Sequence, residues 1–287
     1  MRKLMLAFFL LLTGAVTAVD AQPAIYTVQG RHNVLHLVGT VHLLQQSDVL
    51  PDNINHAYAD SKHLLMEVDT SAMDPLAVQE SMMSSGTLPD DKTLETELDA
   101  ATYSRLKSVV EEAGLQMAML DHMRPWLVGL TLEETMFAKM GFDPNAGVEM
   151  QLTQLAAKDH KPISGFETMD EQIGFFSRLD EKTEIDYLAS TLDEFKDMRS
   201  ELDELVNAWR RGDEDKLQSL LQKEVGGHEK FFNVLIYERN RRWVARLTSL
   251  LDNSSDNYLV AVGALHLVGD NGLVSLLRKA GYKVTRD

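Results

Sequence analysis

The apolar residues of this chain follow two different rhythms. Short continuous apolar runs sit near its two ends, and long stretches with helical spacing lie between them. Residues 25–28 and 34–38 read as the two arms of a hairpin, with Gly30-Arg31-His32-Asn33 supplying turn residues. A helix is expected over 49–59, opening near Pro51, and then a strand over 64–69 that carries Glu67 close to its carboxyl end. Strand, helix and strand in that order make a β–α–β unit with parallel strands. From 75 to about 158 the pattern turns polar and helix-periodic. A short strand over 162–167 runs through Gly165 into Glu167, and a second helical stretch fills 169 to about 251. Within it, the charged segment 200–216 reads as a solvated helix pair. A strand over 258–262, a helix over 273–280 and a strand over 282–284 then repeat the opening plan, with Gly281 where a helix C-cap is expected.

The fold expected is therefore α/β: a pseudo-two-fold β–α–β core with a mainly parallel or mixed sheet, into which a large helical insertion (about 75–250) is set. No Pro-, Gly- or Ser-rich linker divides it, so residues 22–287 are read as a single domain.

Two of the apolar runs end alike. The first reads Leu35-His36-Leu37-Val38-Gly39-Thr40-Val41-His42, the second Leu259-Val260-Ala261-Val262-Gly263-Ala264-Leu265-His266. A glycine lets the chain leave a sheet without steric cost. A histidine three residues on then lies at the carboxyl end of its strand, where open α/β sheets build their sites. His42 and His266 on neighbouring strands could face one crevice. Glu67 ends an apolar strand, where a carboxylate is costly unless paired or metal-bound, and Glu167 repeats that placement. Two imidazoles with one or two carboxylates suit Zn, Mn, Fe or Co better than Ca. The remaining histidines fall within a strand (His36) or in polar surroundings.

Arg239 stands out on a helix. Phe232, Leu235, Ile236, Trp243 and Leu247 recur at helical spacing, and Arg239 falls on their face, which is expected to be buried. A guanidinium aimed inward needs carboxylate partners or a bound anion. Asn240, beside it, could reach the same crevice. The methionines at 117, 119, 123, 136, 140 and 150 read as adaptable core, or as the lining of a pliable groove.

Composition narrows the classes. The formal charge of −16 repels phosphate backbones and anionic lipid heads, so nucleic acid is not an expected partner. There is no cysteine, no Gly-rich phosphate loop and no Gly-x-Ser-x-Gly elbow, which argues against covalent Ser or Cys catalysis. Residues 1–21 read as a secretory signal: Arg2 and Lys3, then an apolar stretch too short for a comfortable span, then Val19-Asp20-Ala21. Cleavage near Ala21 is expected to yield a periplasmic or secreted protein starting at Gln22, with no membrane span left after signal removal. An uncleaved anchor is the alternative.

Gly39-Thr40-Val41-His42, Glu67-Val68-Asp69, Gly165-Phe166-Glu167-Thr168 with Gln172, Tyr237-Glu238-Arg239-Asn240 with Trp243, and Val262-Gly263-Ala264-Leu265-His266-Leu267-Val268-Gly269 together resemble the TraB/GumN family, which is related to the Tiki proteins. The resemblance runs in order along nearly all of residues 22–287. It implies an α/β core with paired Gly-x-x-His motifs and, for Tiki-like members, a metal-dependent protease supported by Mn or Co. By the same resemblance His42, Glu67 and His266 hold the metal, and Arg239 and Asn240 are pocket residues. Glu167 is a further acidic candidate, and Glu149 stands where many relatives place an acid. The expectation is a divalent-metal-dependent hydrolase, a metallopeptidase acting on peptide or protein. In it Glu167 or another acid takes the proton of a bound water and Arg239 stabilises the oxyanion. The alternative is a non-catalytic protein of the same fold that binds a peptide or small anion through Arg239.

Overall fold

The computed structural model describes residues 21–225 and 228–287. The expected leader, residues 1–21, lies outside the described residues except for Ala21. Eight strands are present: β1 Ile25–Gln29, β2 Val34–Thr40, β3 Leu44–Gln45, β4 His63–Val68, β5 Phe142–Asp143, β6 Ile163–Glu167, β7 Tyr258–Gly263 and β8 Lys283–Arg286. Six of them form one sheet in the order β6-β4-β7-β2-β1-β8, and β3 and β5 pair separately. β6, β4, β7 and β2 run parallel, whereas β1 is antiparallel to both its neighbours, β2 and β8.

The α/β fold, the hairpin β1–β2 and the mainly parallel sheet are as the pattern predicts. One feature of the order is not local. β7 comes from the far end of the chain and lies between β2 and β4, so the opening β–α–β unit spans a strand from about the last tenth of the sequence. The closing unit, β7 to β8, spans two strands, β2 and β1. Both units are parallel crossovers of different reach.

The sheet is covered on both faces, which is why its central strands are mostly continuous apolar runs, with their polar residues near the strand ends or, as at His36, at a partly exposed position. On one face Val38, Leu64, Met66, Leu259 and Ala261 pack against residues of the helices Asp52–Asp60, Val148–Asp159, Met198–Arg210 and Glu214–Val225. On the other, Leu35, Leu37, Leu65, Val260 and Val262 meet Trp243, Leu247 and Leu251 of helix Glu238–Asn253 and Leu273, Val274 and Leu277 of helix Leu273–Lys279. The segment 200–216 does contain a helix pair, but not a merely solvated one. Leu202, Val206, Ala208, Trp209, Leu217 and Leu221 are buried in the first of these layers. The charges of 200–216 lie on the outer side of an amphipathic pair, and charge density along the sequence hides that stripe.

A third cluster, away from the sheet, joins helices Ala100–Glu112, Pro125–Lys139 and Glu181–Glu194. Met117, Met123, Met136 and Met140 pack against it, so these methionines are core filler. A buried ion pair between Arg124 and Glu184 ties this layer together.

Trp209 connects the helical cover to the sheet where β2 leaves it. Its indole Nε1 donates to the Gly39 carbonyl at 2.7 Å, in buried surroundings. Trp209→Phe keeps most of the ring and removes this donor, and is expected to cost about 1–2 kcal/mol in urea unfolding. A loss below about 0.5 kcal/mol would show that this bond adds nothing to the strand end.

Candidate metal centre

The two repeated motifs end side by side. β2 and β7 are adjacent, with Gly39 opposite Val262 and Thr40 opposite Gly263. His42 lies two residues beyond the end of β2, and His266 closes the short 3-10 turn Ala264–His266 after β7. The motifs are thus one residue out of step, and their histidines sit differently. The His42 side chain is 67 % exposed, that of His266 only 3 %. Both line a cavity of about 540 Å³ at the carboxyl ends of β2, β4 and β7, together with Thr40, Glu67, Glu149 and Arg239.

Each imidazole is held by one nitrogen. His42 Nδ1 contacts Glu149 Oε1 at 2.7 Å. His266 Nδ1 lies 2.6 Å from Asn240 Oδ1. The Asn240 amide has a defined orientation, because its Nδ2 donates to the carbonyls of His266 (3.1 Å) and Asn271 (2.8 Å). Its oxygen must then accept from His266 Nδ1–H, which places the imidazole lone pair on Nε2. Burial pushes the His266 pKa down to about 3, and Arg239 and His42 push the same way against the opposing pull of Glu67. The ring is neutral and available as a ligand. His42 moves the other way. The Glu149 carboxylate beside it raises its pKa to about 9.

The placement of Glu149 depends on a glycine. Val148 N–H donates to the Val41 carbonyl (3.1 Å), and a Cβ at Gly147 would stand 2.2 Å from the His42 carbonyl oxygen. Only glycine lets the helix Val148–Asp159 start this close to the first motif. Glu149, in its first turn, then accepts from Thr40 Oγ1 and His42 through Oε1. Its Oε2 is buried and has no hydrogen-bond partner.

Glu67 faces Gly263, whose N–H donates to Oε1 at 2.8 Å. Oε2 accepts from Arg239 Nη2 and from Gln172 Nε2 at 3.2 Å. Burial acts to raise the Glu67 pKa, but His266, Arg239, His42 and the Gly263 N–H together outweigh it and hold the group well below the usual carboxylate range. His266 Nε2 is 3.7 Å from Glu67 Oε1.

Gly263 marks the point where the three candidate ligands meet. A Cβ built there would lie 3.3 Å from Glu67 Oε1, 3.6 Å from His266 Cδ2 and 3.8 Å from His42 Nε2. Two ligands each about 2.1 Å from one tetrahedral ion are about 3.4 Å apart, close to the separation of Glu67 and His266. The donor chemistry therefore fits a divalent cation. Among the described residues, however, no group of three His, Asp or Glu already stands at metal-site spacing. His266 Nε2 is 3.3 Å from Arg239 Nη1, and a cation on that nitrogen requires the guanidinium donor to turn away.

Arg239 is buried, as the helical spacing predicts. The helix is not regular before it. Asn233–Tyr237 form a π-turn, with Glu238 N–H bonded to the Asn233 carbonyl, and of the two rings before it Phe231 is more buried than Phe232. Arg239 Nη1 donates to the Leu235 carbonyl at 2.8 Å, Nη2 to Glu67, and Nε to Glu167 Oε2 at 2.9 Å. With the His266 contact, four of the five N–H donors of the guanidinium are engaged. Little of the fork remains for a free anion.

Glu167 has the part of an anchor. Besides Arg239, it accepts from Gln172 Nε2 (3.4 Å), Arg242 Nη2 (2.7 Å) and Trp243 Nε1 (3.0 Å), and it lies behind the cavity rather than on it. Both its oxygens are engaged by donors, so its geometry is that of a structural anchor. Asn240 is likewise fully buried behind His266. The sequence reading gave no role to Thr40, Arg242 or the Trp243 indole. Thr40 carried one local signal, a hydroxyl at the end of an otherwise apolar strand.

The profile of the TraB/PrgY/gumN family matches residues 24–286. Among curated proteins, the chain is 26 % identical over 258 residues to the uncharacterized protein YbaP of Escherichia coli (strain K12), covering 89 % of this chain and 92 % of that one. It is 24 % identical over 323 residues to metalloprotease TIKI2 of Xenopus tropicalis (92 % of this chain, 60 % of the relative) and 23 % identical over 308 residues to human metalloprotease TIKI1 (87 % and 59 %). The chain thus spans about 60 % of the Tiki proteins. No solved structure matches. With a profile that covers the whole sheet and both Gly-x-x-His motifs, the chain belongs to the TraB/PrgY/gumN family.

Proposed function

We propose that this protein is a divalent-metal-dependent peptidase that works in the periplasm. The observation that carries the reading is the convergence of His42 Nε2, Glu67 Oε1 and His266 on Gly263, with both Nδ1 atoms already held from behind. Metal-binding histidines generally have that second contact. The kinship with proteins named metalloproteases supports the same chemistry. The basic and apolar opening of the sequence supports export.

His42, Glu67 and His266 would hold the cation, which when bound acidifies a water and polarises a carbonyl. The protein groups divide the remaining work. Asn240 fixes the His266 tautomer, and Glu149 orients His42. Glu149, which lines the cavity beside His42 and whose Oε2 has no hydrogen-bond partner among the described residues, is the acceptor best placed for the proton of the attacking water once that oxygen turns to the cavity. Hydrolysis forms a carbon–oxygen bond and breaks the carbon–nitrogen bond. The proton taken by Glu149 then passes to the departing amine. Arg239 keeps Glu67 ionised and aimed. Its donors are committed to Glu67, Glu167 and His266, which leaves the small-anion alternative without a grip.

Glu149→Gln should separate these roles. The amide keeps an oxygen for His42 and Thr40 but cannot take a proton. Metal should bind within a few-fold of the parent, while peptide turnover falls by a factor on the order of 10² or more. Parent-like turnover would remove Glu149 from the chemistry.

Metal affinity should also depend on pH through one group. His42, with its pKa raised to about 9, carries a proton at neutral pH that a cation must displace. His266, with its pKa lowered to about 3, carries none. The apparent Kd should therefore tighten about tenfold per pH unit between pH 6 and 8 and level off near pH 9. Isothermal titration in buffers of different ionisation enthalpy should show about one proton released per ion at pH 7. A Kd that does not change with pH would exclude His42 as a ligand.

A further inference from the structure

The walls above the two histidines indicate what the site takes. All the ionisable groups on the cavity lie on its floor, at the ends of β2, β4 and β7, or at the adjoining helix starts. The walls are apolar. Phe137, Phe176, Leu205, Leu235, Ile236 and Leu265 all line it and none is fully buried, so each keeps apolar surface open beside the reacting centre. They come from four separate helical segments and the turn that carries His266, so the apolar lining surrounds the site rather than forming one stripe.

Three features narrow the occupant. First, a volume of about 540 Å³ lies within the usual range for a small ligand. It admits a few residues of extended chain and excludes a folded domain. Second, an acidic side chain would meet Glu67 and Glu149, and Arg239, the only guanidinium on the cavity among the described residues, is already engaged. Third, a Lys or Arg side chain on these walls would lose its hydration away from Glu67 and Glu149 on the floor, which already hold Arg239 and His42, and that is costly.

We propose that the substrate is an unfolded peptide segment or chain end whose residue next to the scissile bond carries a large apolar side chain, such as Leu, Met or Phe, seated on the Leu205–Leu235–Leu265 wall. This rests on the peptidase reading and adds the class of residue that the site selects. Burial of one such side chain against an open apolar wall favours it over a small polar one by a factor on the order of 10 to 100.

The test uses blocked hexapeptides that differ only in one central residue: Leu, Phe, Ser, Asp or Lys. Binding is measured by titration calorimetry to the full chain with and without Mn²⁺ or Co²⁺, and cleavage is followed by mass spectrometry. The Leu and Phe peptides should bind on the order of 10- to 100-fold more tightly than the Ser, Asp and Lys peptides, in both metal states. Leu205→Trp, which fills the wall, should shrink that ratio while leaving metal affinity unchanged. If that variant does not fold, Leu235→Ala should shrink the ratio by opening the same wall. Equal affinity across the series, a preference for Asp or Lys, or no binding would overturn the proposal. Selective binding of Leu and Phe peptides with no cleavage under any cation would leave the apolar site standing and remove the peptidase reading instead.

Discussion

The site is organised around one buried guanidinium. Arg239 stands between Glu67 and Glu167, bonded to both and to the Leu235 carbonyl, with its plane over the Trp243 ring at 4.7 Å. Two carboxylates this deep would be costly on their own, and a lone guanidinium equally so. Together they are mutually satisfied, and the arrangement fixes the direction of each. Glu167 gives its remaining capacity to Arg242 and Trp243 and so locks helix Glu238–Asn253 to the edge of the sheet. Glu67 keeps one oxygen turned toward Gly263 and the histidines. Removing any member strands a charge in the interior, at a cost of roughly 3–5 kcal/mol. The order of the site and the order of the fold are therefore maintained by the same contacts.

A second consequence concerns the two histidines. They arise from the same motif, yet the sheet places one at the rim and the other under Trp243, whose ring lies 4.5 Å from that of His266. The buried one is pushed toward the neutral form by its burial, and the exposed one toward the protonated form by the Glu149 carboxylate. The two copies of one motif thus end in opposite electrostatic surroundings.

Much of this was legible in the sequence. Continuous apolar runs ending in Gly-x-x-His mark strands that end at a site, and the helical spacing of Trp243 and Leu247 places Arg239 inward. What local pattern cannot show is which strand lies beside which. β7 separates β2 from β4 only because the last third of the chain returns to the middle of the sheet. The same blindness hid the use of each acid. Glu67 and Glu167 look alike as carboxylates at strand ends, and Glu149 and Glu167 as carboxylates two residues after a glycine. Their roles differ because Glu167 meets three donors from the distant helix Glu238–Asn253, whereas Glu149 reaches His42 only through the close approach at Gly147. The π-turn at Asn233–Tyr237 likewise breaks a regular spacing that the sequence shows as unbroken.

The central claim is that His42 and His266 serve one cation. X-ray absorption spectroscopy of the Co²⁺-loaded protein, prepared without a histidine tag, tests it most directly. The expected spectrum contains two imidazoles and carboxylate oxygen at one ion per chain, and His42→Ala and His266→Ala should each remove one imidazole or abolish stoichiometric binding. An ion bound at full stoichiometry with its imidazole count unchanged in either variant would contradict the shared site.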